Sequence, residues 1–541
     1  MKEISLLYPE GKKPACKTLS DEVCSNLSLD FLFEYVSGSE HERKMIKEMM
    51  VNLESDPEVI RYRCDVFEDI VSFPELRKKM TELLDRLDFL KTLGKNYVDD
   101  SASSIWQLVN RLRELEAYID VISEIYRTLH AHPVKSEGLN RLKDYVSKVY
   151  NDSGFAYLSA DIKELLPATD EIHSITLGIN LDSMLRPVEV GIMSINREKF
   201  DHAGILGRFN RFVEFLPVIG DILDSKQVDV MTRIHSTSAS AEDDPLMQNL
   251  CRTVTNMLKP TVKNLKNKLS RYVNVSGYSL TSFIPEFTFY IRWADFCSRM
   301  IDLGLPMTRP EILGVESKSL SSKGLYDLKL AVRKLDGGKI DVVSNNFEFS
   351  NENGIYIMTG PNRGGKTTFT QTVGILFLLA QNGIYVPAEA CSISPCDNIF
   401  THFPADENKT VDLGRLGEES RRISEIFSAA TGNSLLLFNE SLATTSFTEG
   451  LYIAKDVVRA LRRLGARTVF NTHMHELAAD LEPINSLDGD LKVASLITGV
   501  HEGRRSFKVY IAPPEGISYA RDIARKYGVT FEQLERSIKS A

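Results

Sequence analysis

Residues 359–367 read Thr-Gly-Pro-Asn-Arg-Gly-Gly-Lys-Thr. Gly360 and Gly365-Lys366-Thr367 stand at the G-x-x-x-x-G-K-[ST] spacing of a phosphate-binding loop. Glycines let the backbone curl so that successive N–H groups converge on one anion, and a following helix adds its positive N-terminal end. The expected phosphate contacts are Gly360, Pro361, Asn362, Arg363, Gly364, Gly365, Lys366, Thr367 and Thr368. Lys366 is expected to reach the β- and γ-phosphates of ATP, and the Thr367 hydroxyl to ligate Mg²⁺.

The flanks fit this reading. Ile355-Tyr356-Ile357-Met358 is a short apolar run of buried-strand type, and Thr367 to Ala380 is a mostly apolar helix that stops near Gly383. Further on, Leu435-Leu436-Leu437-Phe438 forms another apolar strand and ends in Asn439-Glu440. A strand end after a phosphate loop is where acidic groups are delivered toward Mg²⁺ and the attacking water. Asn439 and Glu440 therefore join Thr367 as expected metal-site residues, with Glu440 as general base. Thr468-Val469-Phe470 is a third strand, followed by Asn471-Thr472-His473, and His473 is expected to contact the γ-phosphate or orient water.

The remainder divides by texture. Residues 1–310 read as mainly helical, and from 311 onward short strand-like runs give way to an alternation of strands and helices typical of a mostly parallel α/β sheet. The boundary is set at 305–315. Ser72-Phe73-Pro74-Glu75 has capping-box spacing and an early proline, and Leu76, Met80, Leu83, Leu87 and Leu90 then repeat at helical spacing until Gly94. Ile105, Leu108, Leu112, Leu115, Ile119, Ile122 and Leu129 define a longer helix, a rod of about 40 Å that needs a second helix beside it. Ser236 to Asp244 is small and polar, a loop.

With 541 residues the chain exceeds a single core. Its seven cysteines are odd in number and scattered, which excludes a disulfide framework and points to a reducing, cytoplasmic setting. The N-terminus lacks the apolar stretch of a signal peptide, and the longest apolar runs fall far short of a membrane span. A net charge of −9 excludes a surface that grips nucleic acid all over. It leaves room for a local patch, for which Lys259, Lys263, Lys266, Lys268 and Arg271 are the candidate.

From Gly354 onward the chain resembles the ATPase domain of the MutS family of DNA mismatch-repair proteins. The likeness is carried by Thr359-Gly360-Pro361-Asn362 with Gly364-Gly365-Lys366-Thr367, by Gly383-Ile384-Tyr385-Val386-Pro387-Ala388, and by Ile399-Phe400-Thr401 with Glu419. It continues in Thr445-Ser446, similar to the family's D-loop, and in Thr472-His473 with Glu476-Leu477, similar to its switch histidine. Gly516-Ile517-Ser518-Tyr519-Ala520 resembles a segment near the family's C-terminus. A weaker likeness in Thr176-Leu177-Gly178-Ile179-Asn180 and Gly304-Leu305-Pro306 extends it to the core and lever region.

The resemblance implies an α + α/β architecture. A mainly helical core and lever region, 1–310, would precede an ABC-type P-loop ATPase and dimerisation domain, 311–541. It also implies a homodimer that binds ATP and Mg²⁺, acts on mismatched, branched or otherwise unusual DNA in repair or recombination, and engages no membrane.

The departures from the family pattern are specific. Arg363 stands at a methionine position, Asn439 at the Walker B aspartate, and Gly414-Arg415-Leu416 where the family has Ser-Thr-Phe in the loop that reaches a partner's nucleotide. Nothing near the N-terminus resembles the mismatch-reading domain, and the chain ends at Ala541 without the nuclease tail of another branch. The expectation is a shortened relative that keeps lever and motor. Asn439 also supports an alternative: a nucleotide-binding switch with little turnover, engaging a protein partner.

Overall fold

The computed structural model describes the chain apart from residues 1–3, 13, 15, 95–104, 171–172, 197, 199–257, 351, 362, 405–413, 443–445, 480, 490, 502–503, 515–524, 526 and 540–541. Two compact units form, one from residues 1–81, 129–143 and 285–541, the other from 82–128 and 144–284. The loop expected at 236–244, Thr445 and the segment 516–520 lie outside the described residues.

The larger unit is built on a six-stranded sheet. Its strands are β1 Ile355–Thr359, β2 Ile399–His402, β3 Leu435–Asn439, β4 Arg467–Asn471, β5 Val493–His501 and β6 Arg504–Ile511, in the order β2-β3-β4-β1-β5-β6. The first five in that order are parallel and β6 is antiparallel to β5. β1, β3 and β4 are buried along their whole length. This is why they read as unbroken apolar runs: a parallel strand covered on both faces has no solvent side to alternate with.

One face is covered by the helices Gly414–Ala429, Phe447–Leu464 and His475–Ala479, packed on Ile355, Ile357, Leu436, Phe438, Phe470 and Val493. The other face carries the helix Lys366–Gln381, which approaches so closely that a Cβ on Gly374 would lie 2.8 Å from Leu437 Cδ1. That helix is buried on almost every side, so its polar residues need internal partners. Gln371 donates to Asn26 O, and Gln381 to Glu54 O and Cys396 O. The helix ends at Asn382-Gly383, where Gly383 takes φ 75°. A second sheet orders Glu311–Ile312, Ala390–Ile393, Leu320–Leu325 and Asn345–Phe349.

The helix Pro74–Gly94 begins where the sequence indicates, but Ser72 does not open it. Ser72 is the last residue of the preceding helix, Pro57–Ser72, and Pro74 alone marks the start.

In the smaller unit, the 27-residue helix Ile105–Ala131 contributes its span up to Thr128, burying Leu112, Leu115 and Ile122. Arg111 is buried there and donates to Tyr272 O (2.6 Å) while pairing with Glu114. The stretch 174–196, within the mainly helical half, is an antiparallel hairpin of Ser174–Leu181 and Pro187–Asn196. Of the basic patch, Lys268 pairs with Glu164 at 2.6 Å and Arg271 with Asp161 at 3.7 Å, so part of its charge is neutralised on the spot. Among the described residues no helix is long and apolar enough to cross a membrane.

Candidate functional site

The site forms at the carboxyl ends of β1, β3 and β4, which the parallel register brings side by side. Asn439 is the cross-strand partner of Asn471, and Asn471 that of Met358. The loop after β1 turns on two glycines in conformations that L side chains avoid, Gly360 at φ 145° and Gly365 at φ 93°. A Cβ on Gly360 would fall 2.0 Å from Thr498 Oγ1, and one on Gly364 would fall 2.7 Å from Pro361 O. Arg363, exposed at the turn, also has a positive φ, 59°. Asn362 lies outside the described residues.

Lys366 is 4 % exposed, and its ammonium donates to Gly360 O (3.1 Å) and Pro361 O (3.2 Å). Neither partner carries a charge. Burial pushes its pKa down, and the negative charge of Glu440 nearby works against that shift. A buried cation capped by carbonyls, above a glycine turn too tight for side chains, fits a phosphate group. Thr359 Oγ1 and Thr498 Oγ1 are also buried there without a hydrogen-bond partner among the described residues.

Thr367 Oγ1 donates to Asn439 Oδ1 at 2.8 Å, and Asn471 Nδ2 donates to the same oxygen. The donor set for a cation is thus a hydroxyl, an amide oxygen already engaged by two donors, and the Glu440 carboxylate one residue on. These hard oxygen donors suit Mg²⁺. Glu440 is half-buried at φ 50°, its N–H bonded to Asn471 O (2.8 Å). His473 lies exposed just past β4.

The sequence reading brought Lys366, Thr367, Asn439, Glu440 and His473 to this edge and assigned no role there to four others. Asn471 orients the Asn439 amide. His475 is half-buried, with Nδ1 unpartnered among the described residues. Its pKa is lowered by burial, helped by the charges of Lys366 and His473 and opposed by Glu476. His402, 1 % exposed, meets Ser441 Oγ through Nδ1 at 2.6 Å, and burial pushes its pKa down to about 4. Glu419 accepts from Leu442 N–H at 2.9 Å. Of these, only Glu419 carried a signal in the sequence, as part of the family likeness. Asn471, His402 and His475 carried none of their own.

Comparison with known proteins shows what the chain is similar to. Residues 356–508 match the model of MutS domain V, and residues 55–303 match that of the MutS2 N-terminal domain. The chain belongs to the MutS family. A DNA mismatch repair protein MutS from Chlorobium chlorochromatii is 30% identical over 207 residues, covering 38% of this chain and 23% of that protein. An endonuclease MutS2 from Thermus thermophilus is 29% identical over 197 residues, 36% of this chain and 26% of the relative. The MutS of Streptococcus thermophilus aligns over 463 residues at 22% identity, 84% of this chain and 49% of the relative. The chain therefore spans about half or less of the length of these curated MutS-family relatives.

Proposed function

We propose that this MutS-family chain binds ATP in the 359–367 loop and hydrolyses it to ADP and phosphate. In this reading it works as a cytoplasmic homodimer that couples nucleotide state to DNA of mismatched, branched or otherwise unusual structure, in repair or recombination. The observation that carries the nucleotide part is Lys366: a buried ammonium bonded, among the described residues, to two neutral carbonyls, over a turn with no room for a Cβ at Gly360 or Gly364. An anion with several oxygens at that point would replace the lost hydration of the cation.

Gly360 to Thr368 would cradle the phosphates, and Thr367, Asn439 and Glu440 would hold Mg²⁺, which when bound would neutralise charge on the phosphates. Glu440 takes the proton of the attacking water, and exposed His473 orients that water or meets the γ-phosphate. Asn439 keeps the acceptor that a Walker B aspartate would offer to Thr367, and it lacks only the charge.

That missing charge favours a second reading, a switch that binds nucleotide, turns over little and engages a protein. One experiment separates the two: DNA binding over duplex, mismatched and branched substrates with and without ATP, run beside ATP turnover and sedimentation. Nucleotide-dependent DNA binding by a turning-over dimer supports the first. Tight ATP binding with negligible turnover and no DNA response sinks it in favour of the second.

A further inference from the structure

The turn after β3 puts two residues with side chains into the left-handed region, Glu440 at φ 50° and Leu442 at φ 63°. Such a turn persists only when its surroundings over-determine it. Three elements do so. The Glu440 N–H donates to Asn471 O on β4 at 2.8 Å. Ser441 Oγ meets His402 Nδ1 (2.6 Å) and His402 O (3.2 Å) at the end of β2. The Leu442 N–H donates to Glu419 Oε2 at 2.9 Å. Leu442, Ser441 and Glu419 are all buried, so the bonds of Ser441 and Leu442 are not shared with bulk water.

Glu419 differs from the other two clamps in where it comes from. It lies in the first turns of the helix Gly414–Ala429, three residues after Gly414-Arg415-Leu416. Arg422, one turn further along, donates to Phe403 O at 3.0 Å and ties the same helix to the end of β2. The clamp on Leu442 among the described residues is therefore a carboxylate carried by the helix that begins with residues 414–416.

We propose that Glu419 is a positioning residue: it holds the strained 440–442 turn, and with it the Glu440 carboxylate, in register with the phosphate loop, so that a shift of the Gly414–Ala429 helix is felt at Glu440. The idea rests on Glu440 being the general base of the proposed ATPase, and it predicts a loss confined to turnover. A misplacement of about 1 Å at a reacting group costs on the order of 10²-fold in rate.

The test uses the full chain with Glu419→Ala, Glu419→Gln and the double variant Glu419→Ala/Leu442→Gly. Glu419→Ala is expected to speed amide exchange at Leu442 about tenfold, as a buried N–H loses its acceptor. It should lower kcat by about 10- to 100-fold while affinity for a non-hydrolysable ATP analogue stays within about twofold. Glu419→Gln, whose amide oxygen still accepts, should recover most of kcat. So should Leu442→Gly in the alanine background, because glycine takes a positive φ without strain.

Unchanged exchange at Leu442 overturns the clamp. So does a turnover loss that neither the glutamine nor the glycine rescues, or one matched by an equal loss of analogue affinity. A wild-type chain that binds the analogue but hydrolyses nothing refutes the ATPase reading instead, and Leu442 exchange alone then decides the clamp.

Discussion

Replacing Asn439 by aspartate adds a charge at the position that the family resemblance gives to a Walker B aspartate. In the structure the Asn439 oxygen accepts from Thr367 Oγ1 at 2.8 Å and from Asn471 Nδ2, so the incoming carboxylate finds two donors already in position. A hydrogen bond to a neutral acceptor contributes about 1 kcal/mol net, and one to a charged acceptor about 2. A hydroxyl that ligates a cation becomes a stronger donor, so this difference is expressed mainly in the metal-bound state. Over the two donors this comes to about 1–2 kcal/mol, and about 1.4 kcal/mol is one decade in affinity. Asn439→Asp should therefore lower the Mg²⁺ concentration for half-maximal turnover about tenfold and leave kcat at saturating Mg²⁺ nearly unchanged, since Glu440 supplies the base.

Asn471 provides an internal control. An amide can turn its nitrogen toward Thr367, and only the Asn471 N–H holds the oxygen there, whereas a carboxylate is symmetric. Asn471→Leu should raise the Mg²⁺ requirement about fivefold in the wild-type background and hardly at all in the Asn439→Asp background, in keeping with one neutral hydrogen bond. Mn²⁺ binding followed by electron paramagnetic resonance in the presence of a non-hydrolysable nucleotide gives the same comparison without turnover. Identical Mg²⁺ curves for Asn439→Asp and wild type would refute the reasoning. A large rise in kcat at saturating Mg²⁺ would show that the amide limits the chemistry, as a low-turnover switch requires.

Three further outcomes are expected. Lys366→Ala should abolish tight ATP binding in a calorimetric titration, because the loop loses its buried cation, and an unchanged affinity would remove the phosphate-loop assignment. Glu440→Gln should leave ATP binding intact and slow hydrolysis by about 10²-fold or more, and equal turnover would exclude Glu440 as base. His402 is neutral in the fold with its pKa near 4, against an ordinary value near 6.5, so protons bind the unfolded chain first. Its contribution is complete above about pH 6.5 and drains away between pH 6.5 and 4, by about 3 kcal/mol in all. Urea midpoints for wild type and His402→Gln should diverge over that window, and parallel curves would contradict a buried neutral imidazole.

Much of the larger unit was legible because its signals are local. The strands at 355–358, 435–438 and 468–470 are runs of consecutive apolar residues, and the structure gives Ile355–Thr359, Leu435–Asn439 and Arg467–Asn471. The helix after the phosphate loop is equally plain, Lys366–Gln381 against an expected start at Thr367. Ser72 misled because serine followed three residues later by glutamate also occurs where one helix ends and the next begins at a proline. The hairpin at 174–196 was hidden in a stretch read by its helical surroundings.

The sequence by itself determined the glycine spacing of the loop, the lysine and threonine that follow it, and the acidic residue at the end of β3. Each is fixed by a short-range rule of backbone freedom or hydrophobic period. Only the tertiary structure decided that Asn471 stands beside Asn439, 32 residues away, because strand order and parallel register depend on how β3 and β4 pack and not on either strand alone. The same holds for the Glu419 clamp on Leu442. It holds too for the compact units, where residues 1–81 and 129–143 pack with 285–541 although the composition changes near 305–315. Local periodicity says which face of an element is apolar, and only the competition among all such faces for burial says which neighbour covers it.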